Sequence, residues 1–384
     1  MRKLSAALAA AIALAPLPAF AQTATTIVLS PSADTVVFGQ SVTLFGTLSP
    51  PDASPIVEIR GASGVVVATT SPDTTGGFAA TITPESTDAY VAVTIDAASE
   101  PITVRVRATM TIRSSPVRLF DTVSVRGTVA PARPGRQVMV SLTRGGTTID
   151  QQQVSMGSSG AFVASFEVPL PGTYRARASY AAEDLLRATA AGDAGATPLP
   201  RLSEGDRGPF VELLESRLLE LHYRLASPGD GRYDFRTADA VVAFHKVQRM
   251  ARSFVATAAT WRRLAEPRIP QPRNDWRGFH FEVDQTRQVL YTVEDGEITN
   301  VLHISTGAGG ATRDGTFRVY RKLAGFSPNH LYYPSYFDGL RALHGWTDVP
   351  TYNASHGCVR IPYWNAQWVF GLAGYGTRVV IYHS

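Results

Sequence analysis

Residues 344–360 read HGWTDVPTYNASHGCVR and contain the single cysteine of the 384-residue chain. Two of its eight histidines, His344 and His356, lie in the same stretch as Cys358. A thiolate is a strong nucleophile, and a nearby imidazole can move the proton that its attack requires. A lone cysteine can also be a small, inert core residue. The pattern alone therefore leaves two alternatives, a Cys–His nucleophile or a packed thiol with incidental histidines.

The spacing within this stretch favours the nucleophile. His344 is far enough from Cys358 for a loop to bring it opposite the thiol, whereas His356 is only two residues away and cannot easily meet it head-on. Gly345 and Gly357 allow close backbone approach, and the backbone N–H groups of Gly357 and Cys358 are candidate oxyanion donors. A free thiol is only about 3% ionised at neutral pH, and an imidazolium beside it would lower its pKa.

Composition excludes several classes of function. A hydrophobic content of 44% and a charged content of 18% are typical of a globular protein rather than a disordered one. The net charge of +4 comes from scattered basic residues, which argues against a nucleic-acid partner. One cysteine allows no intrachain disulfide, and the histidines show no zinc-type spacing. We therefore expect no metal site.

The first 21 residues have the pattern of a secretory signal peptide. Arg2 and Lys3 precede an apolar run at residues 4–17, and Ala19-Phe20-Ala21 forms a small-x-small cleavage site. The run is shorter than the ~20 residues that a membrane-spanning helix needs, and no later segment is long and apolar enough. The sequence therefore predicts an extracytoplasmic mature protein with no membrane span.

Residues 22–187 show the short alternating runs and regular turns of β-sandwiches. The segment at 41–50 (SVTLFGTLSP) returns about 80 residues later as 122–131 (TVSVRGTVAP), a domain-sized repeat. We therefore predict two tandem sandwiches, at 22–108 and 109–187. They resemble the bacterial immunoglobulin-like domains of cell-surface proteins.

The pattern changes after the second predicted sandwich. Residues 188–200 are rich in Ala, Gly and Pro and are predicted to be a linker. Residues 201–266 have apolar residues at helical spacing, and their motifs resemble the three-helix peptidoglycan-binding domain; these motifs are Gly205-Asp206-Arg207-Gly208-Pro209, Asp230-Gly231, Phe244 and Thr260-Trp261. Proline-rich residues 267–277 are predicted to be a second, stiffer linker.

Residues 278–384 again read as strands, with one helix predicted at 364–372. Ser355-His356-Gly357-Cys358-Val359-Arg360 with the upstream His344-Gly345 closely resembles the signature of L,D-transpeptidases of the YkuD type. Ser305-Thr306-Gly307 and the segment at 312–317 (TRDGTF) resemble two further motifs of that family. The fold class we expect is therefore multidomain and mainly β, with a helical module before a β-rich C-terminal domain.

This resemblance implies a role for each matching residue. Cys358 would be the nucleophile and His344 the proton acceptor and donor, with the carbonyl of Gly345 orienting the imidazole. His356 would shape the pocket, Gly357 would belong to the catalytic group with it, and Ser355 would contact the substrate. Arg360, which stands where many members have Asn, would lie next to substrate. Tyr333 and Tyr336 fall where the family has a mobile flap and are candidates to line the donor groove.

The activity implied is the cross-linking of peptidoglycan in the cell wall. Cys358 would attack a tetrapeptide stem, release D-Ala, and pass the acyl group to the amine of a neighbouring stem, giving a 3→3 cross-link. No metal or organic cofactor would be needed. Residues 201–266 would bind the glycan, and carbapenems would acylate the thiol. Two alternatives stay open: an L,D-carboxypeptidase or wall-linkage hydrolase that uses water, and a non-catalytic wall-binding surface protein.

Overall fold

A computed structural model describes residues 24–226 and 229–384, so the predicted signal peptide at 1–21 lies outside the described residues. The chain is mainly β, with 45% of its residues in strands and 13% in helices, which confirms the expected fold class. Within the described residues, every helix is too short or too polar to cross a bilayer.

The first β-sandwich is built from two sheets that face each other across an apolar core. One sheet has the order β1-β3-β6, and the other has the order β8-β7-β4-β5 with β2 beside β8. Alternate side chains point inward along each strand, as the period of two requires. The strands are β1 (Thr26–Pro31), β2 (Thr35–Val37), β3 (Val42–Ser49), β4 (Val57–Gly61), β5 (Val66–Thr70), β6 (Gly77–Ile82), β7 (Asp88–Val93) and β8 (Ile102–Arg107).

The second sandwich repeats this arrangement, with sheets ordered β13-β10-β9 and β12-β11-β14-β15. Its strands are β9 (Thr109–Ser114), β10 (Thr122–Ala130), β11 (Gln137–Arg144), β12 (Thr147–Ser155), β13 (Ala161–Glu167), β14 (Thr173–Ala182) and β15 (Leu185–Ala196).

A glycine–phenylalanine pair recurs in the two sandwiches. Gly46 pairs with Phe78, and Gly127 pairs with Phe162. A Cβ atom at Gly46 or Gly127 would lie 1.9 or 2.4 Å from the phenylalanine ring opposite. Each ring therefore occupies the space that the glycine leaves empty, which explains why both residues recur in the repeat.

The segment at 188–200, which we expected to be a linker, differs from that expectation. Strand β15 continues to Ala196 and pairs with β14 along its length. Ala188 and Ala194 are buried, but alanine and glycine carry too weak a strand preference to reveal the pattern. Leu186 of β15 also pairs with Arg107 of β8, so the two sandwiches share one nine-stranded sheet.

The helical module (residues 201–266) contains α1 (Pro209–Glu220), α2 (Phe235–Val247) and α3 (Ala258–Ala265). Helix α1 begins at Pro209, where the missing backbone N–H of proline costs no hydrogen bond, because an N–H at the first helical position has no partner within the helix. Helix α2 is capped by Asp234, whose carboxylate accepts from the N–H groups of Arg236 (2.8 Å) and Thr237 (3.2 Å). Leu214, Phe244 and Trp261 fill the core between the helices.

The C-terminal domain (residues 278–384) packs a five-stranded sheet, ordered β18-β17-β16-β24-β19, near a four-stranded sheet ordered β20-β21-β22-β23. The apolar side chains of both sheets share one core with helix α4. The elements are β16 (Phe279–Asp284), β17 (Val289–Glu294), β18 (Glu297–His303), β19 (Gly315–Arg318), β20 (Arg321–Lys322), β21 (Tyr332–Asp338), β22 (Arg341–Trp346), β23 (Val359–Pro362), α4 (Tyr363–Leu372) and β24 (Arg378–Tyr382).

The modules pack against one another along the chain. Leu119 of the second sandwich is buried in the same core as the helices of the helical module. Val289, Tyr291 and Val301 of the C-terminal domain extend that core from the other side. The segment between these two modules is also fixed, because buried Glu282 accepts from the N–H groups of Arg273 (2.7 Å) and Asn274 (2.8 Å).

Candidate active site

Strands β22 and β23 direct the thiol of Cys358 and the imidazole of His344 to the same face of the four-stranded sheet. The two strands are parallel and in register, with His344 opposite Arg360. Cys358 directly precedes β23, two residues before Arg360. Side chains two residues apart in an extended strand share a face of the sheet. The register therefore places Cys358 diagonally across from His344, on the same face.

The imidazole of His344 is buried and oriented by the backbone. Only 2% of the residue is exposed, and its Nδ1 lies 2.9 Å from the carbonyl oxygen of Gly345. Because a carbonyl can only accept, Nδ1 carries the proton and Nε2 is left as a proton acceptor. Burial, with a smaller contribution from the charge of Arg360, lowers the pKa of His344 to about 4, although the hydrogen bond to Gly345 opposes this shift. His344 is neutral at neutral pH.

The thiol of Cys358 is half-buried and protonated at rest. Its Sγ lies 3.7 Å from the carbonyl oxygen of Leu340. Burial raises the pKa of Cys358, while the N–H of Ala342 and the charges of Arg341 and Arg360 oppose this shift. From the spacing of Cys358 and the histidines, we expected an imidazolium that lowers the thiol pKa. The raised thiol pKa and the lowered imidazole pKa instead favour a neutral Cys358 and a neutral His344, the protonation states that a nucleophile and its general base need.

Gly357 occupies a position that no other residue fits. Its φ is 126°, and an added Cβ would lie 2.9 Å from both the carbonyl oxygen of Ala311 and Nε of Arg341. Its N–H donates to Oγ of Ser355 (3.1 Å), and Ser355 Oγ donates to the carbonyl of Cys358 (2.6 Å). Of the two expected oxyanion donors, Gly357 is thus engaged within the turn, which leaves the N–H of Cys358 as the candidate.

The other predicted pocket residues lie at different depths. His356 is exposed, whereas Ser355 is buried. Arg360 is half-buried, and its guanidinium lies 4.9 Å from the ring centre of Trp346. Trp346 in turn meets the His344 ring edge-on at 5.6 Å. The structure therefore groups the side chains of His344, Trp346 and Arg360, and the charge of Arg360 acts on the thiol of Cys358. It places His356 at the surface of the turn.

The two candidate groove tyrosines are engaged in packing. Tyr336 is only 4% exposed, and Arg321 lies over its ring at 5.2 Å. In this conformation Tyr336 offers a substrate almost no surface, which differs from the expected groove-lining role, because strand β21 turns this side chain inward. Tyr333 has a φ of 48° and meets Phe370 edge-on at 5.1 Å. Groove lining stays a prediction for Tyr333.

Arg341 is a site residue that sequence reasoning missed. Its Nε donates to the carbonyl of Ala311 (2.8 Å), and Nη1 pairs with Asp338 (3.0 Å). It lies against Gly357, and its charge favours the thiolate of Cys358. The available signal was a lone charged residue at the start of an otherwise apolar strand, three positions before His344.

The Ser305-Thr306-Gly307 segment supports the turn from the far side of β23. Ser305 and Arg360 exchange two backbone hydrogen bonds, at 3.0 and 2.8 Å. The carbonyl of Thr306 accepts from the N–H of Ser355 at 3.0 Å. Among the described residues, no cluster of three or more His, Cys, Asp or Glu side chains could hold a metal ion.

Comparisons with known proteins point to one family. The model of the L,D-transpeptidase catalytic domain, YkuD, matches residues 278–381. An L,D-transpeptidase structure from Xylanimonas cellulosilytica is 33% identical over 48% of this chain and 99% of that chain, with a TM-score of 0.46. The catalytic domain of an E. faecium L,D-transpeptidase is 20% identical over 29% of this chain and 100% of that chain, with a TM-score of 0.24.

An LD transpeptidase solved in complex with imipenem is 10% identical over 71% of this chain and 97% of that chain, with a TM-score of 0.24. A search of curated proteins finds no match.

Proposed function

Because this chain belongs to the L,D-transpeptidase family through its catalytic domain at 278–381, we propose that it cross-links peptidoglycan through a thioester on Cys358. The donor is a tetrapeptide stem, and the acceptor is the side-chain amine of a neighbouring stem, which gives a 3→3 cross-link. One observation carries the proposal: a neutral imidazole, fixed by the Gly345 carbonyl, shares a sheet face with the thiol.

The acylation step follows from this geometry. Nε2 of His344 accepts the thiol proton as Sγ of Cys358 attacks the carbonyl carbon of the third stem residue. The N–H of Cys358 donates to the oxyanion that develops on that carbonyl. The intermediate collapses when the C–N bond breaks. The leaving D-Ala amine takes the proton from His344, and the stem remains bound as a thioester.

The second step returns the enzyme to its resting state. The amine of a neighbouring stem attacks the thioester carbonyl, and His344 accepts a proton from that amine. The C–S bond then breaks, and the thiolate regains the proton from His344. Water attacking in place of the amine would give a shortened tripeptide stem, which is the carboxypeptidase alternative.

We also propose that the protein acts outside the cytoplasm and docks on the cell wall. The charged start, apolar run and cleavage pattern of residues 1–21 support export. The peptidoglycan-binding resemblance of residues 201–266, joined directly to the C-terminal domain, supports docking on glycan. Co-sedimentation of the purified chain with sacculi tests the docking, and failure to sediment would contradict it.

The experiment that tests the activity uses a disaccharide-tetrapeptide substrate with mass spectrometry of the products. We expect the wild-type chain to release D-Ala and form dimers, and Cys358→Ala to do neither, because the nucleophile is absent. Far-UV circular dichroism of both proteins controls for folding. Equal turnover by Cys358→Ala would refute the assignment of the nucleophile. Tripeptides without dimers would make the enzyme a carboxypeptidase.

The same pair of proteins tests inhibitor chemistry. A carbapenem carries a strained amide carbonyl that a cysteine thiol can attack, which would leave a covalent adduct. We expect a mass increase of one inhibitor molecule on the wild-type chain and none on Cys358→Ala. An adduct on both proteins would place the acylated residue elsewhere.

A further inference from the structure

Lys246 of helix α2 is a basic side chain buried at the junction of the helical module and the C-terminal domain, and burial lowers its pKa. Only 3% of the residue is exposed. Its Nζ lies 2.9 Å from the carbonyl oxygens of Gln288 and Ile304, and 2.5 Å from Nδ1 of His303. An ammonium has three donors, and here each meets an acceptor of the neighbouring domain. A buried lysine is costly unless it is satisfied in this way.

His303 connects Lys246 to the loop between His344 and Cys358 by a hydrogen bond at each of its ring nitrogens. Its Nε2 lies 2.8 Å from the carbonyl oxygen of Val349, in the loop at residues 347–354 between His344 and the Ser355–Cys358 turn. Because that carbonyl only accepts, Nε2 carries the proton and Nδ1 accepts from Lys246. Burial lowers the pKa of His303, which keeps it in this neutral form.

Gln288 provides a second path to the thiol. It has a φ of 59°, and its side chain exchanges hydrogen bonds of 2.7 Å with the N–H and Oγ1 of Thr306. The carbonyl of Thr306 accepts a hydrogen bond from the N–H of Ser355, and Oγ of Ser355 donates to the carbonyl of Cys358 (2.6 Å). Lys246 is therefore connected to the turn that carries the nucleophile by consecutive hydrogen bonds.

The helical module touches the same region at two more points. Nη1 of Arg252 donates to the carbonyl of Thr351 (2.6 Å), within the 347–354 loop. Nε1 of Trp364, just after β23, donates to the carboxylate of Asp239 in α2 (2.8 Å). These contacts attach the helical module to the 347–354 loop and to the chain just after β23.

We propose that Lys246 is a positioning residue for the thiol chemistry, so that the helical module forms part of the catalytic unit. The residue fixes the Gln288 turn, the Ile304 carbonyl and, through His303, the loop between His344 and Cys358. This inference rests on the proposed role of Cys358 as the nucleophile. A misplacement of reacting groups by about 1 Å, caused by a substitution far from the chemistry, can lower the rate about 100-fold.

The test compares Lys246→Met with a matched control, His245→Gln, in the full chain. His245 is the adjacent buried residue of α2, but its two ring nitrogens bind Ser253 (2.8 Å) and Thr260 (2.9 Å) inside the helical module. We expect both variants to lower the melting temperature. Only Lys246→Met should lower kcat for D-Ala release, by about tenfold or more, with KM changed less than about twofold.

The rate of Cys358 alkylation by iodoacetamide is measured in parallel, because it requires no peptide substrate. We expect Lys246→Met to change that rate and His245→Gln to leave it at the wild-type value. Equal effects of the two folded variants on kcat and alkylation, or no effect of Lys246→Met, would overturn the inference. If the wild-type chain neither cross-links stems nor releases D-Ala but its alkylation responds as described, the proposed function fails and the positioning role stands.

A second pair of variants decides the question if Lys246→Met does not fold. His303→Gln keeps one acceptor for Lys246 and one donor for Val349, whereas His303→Leu removes both. We expect His303→Gln to retain alkylation within about twofold of wild type and His303→Leu to depart from it by about tenfold. Equal alkylation rates for these two variants would overturn the inference.

Discussion

Cys358 and His344 are both neutral at rest, because burial shifts the pKa of each residue away from its charged form. Burial disfavours any charged form, so it raises the pKa of the thiol and lowers that of the imidazole, to about 4 for His344. A preformed thiolate–imidazolium pair would need the opposite shifts. The proton must therefore move while the sulfur attacks, and His344 acts in the transition state rather than in the free enzyme.

The pH dependence of thiol alkylation tests this description. With the pKa of Cys358 raised, we expect the alkylation rate to keep rising through alkaline pH, with no plateau near neutrality. His344→Ala should preserve this profile while D-Ala release is lost, because His344 does not stabilise the resting thiolate. The measurement is the iodoacetamide rate from about pH 5 to pH 10. A plateau near neutral pH that disappears in His344→Ala would instead demonstrate an ion pair.

Single residues were predictable from the sequence where their chemistry is rare. One cysteine among histidines identified Cys358 and His344 as candidates before any fold was known. Arg341 and Lys246 were not identified, because a charged residue in a strand or an amphipathic helix normally faces solvent. Their burial depends on contacts with segments distant in sequence, which a local pattern cannot contain.

Among the elements, the parallel pair β22–β23 determines the site, and the loop between the strands returns the chain to the same sheet edge. Helices were predicted within residues 201–266 because the apolar residues there recur at helical spacing. Helix α4 was predicted at 364–372, one residue short of its observed start at Tyr363. The strand at 185–196 was missed, since small residues hide its alternation. The resting charge state of the site was also missed, because it depends on how deeply the strands bury their side chains.

Gly345 couples the sheet to helix α4, and its substitution tests that packing. An added Cβ would lie 2.6 Å from Cβ of Ala366 and 3.0 Å from Cδ1 of Tyr332. We expect Gly345→Ala to lower the free energy of unfolding by about 1–3 kcal/mol, because α4 must move away from β22. Activity should also fall, since the Gly345 carbonyl orients His344.

Gly371→Ala is the matched control, since it adds the same methyl group near the end of α4 with nothing within 4 Å. We expect it to be neutral or to stabilise the chain by up to about 1 kcal/mol. Urea denaturation of both variants is the measurement. Equal stability of Gly345→Ala and wild type would show that β22 and α4 are less tightly packed than these distances indicate.

At the scale of the whole molecule, neighbouring modules bury apolar side chains in shared cores and are not joined by flexible linkers alone. The sandwiches form one hydrophobic cluster, and Leu119 of the second sandwich is 1% exposed within the core of the helical module. Helix α1 also meets this sandwich at Phe120, over whose ring Arg217 lies at 5.0 Å. The domain boundaries read from the sequence give no hint of these shared cores.

Substitution of Leu119 measures the strength of this contact. We expect Leu119→Ala to cost about 2–5 kcal/mol, because it leaves a cavity between two modules, and to lower the melting temperature of the helical module. Val163→Ala, at a 52% exposed position of the same sandwich, is the control and should have little effect. Calorimetry of the full chain is the measurement. An unchanged transition for the helical module would mean that the two modules are thermally independent.

The single parallel contact between β8 and β15 has a mechanical consequence. It joins two sandwiches edge to edge into one sheet, and Leu119 ties the second of them to helix α1. The N-terminal half is therefore attached to the helical module by packed contacts and not by a flexible segment alone. An active site at the end of a flexible linker samples many distances from its anchor. An active site joined to its anchor through packed modules samples fewer distances. A partner that bound the first sandwich would therefore limit the distance between itself and the substrate that Cys358 attacks.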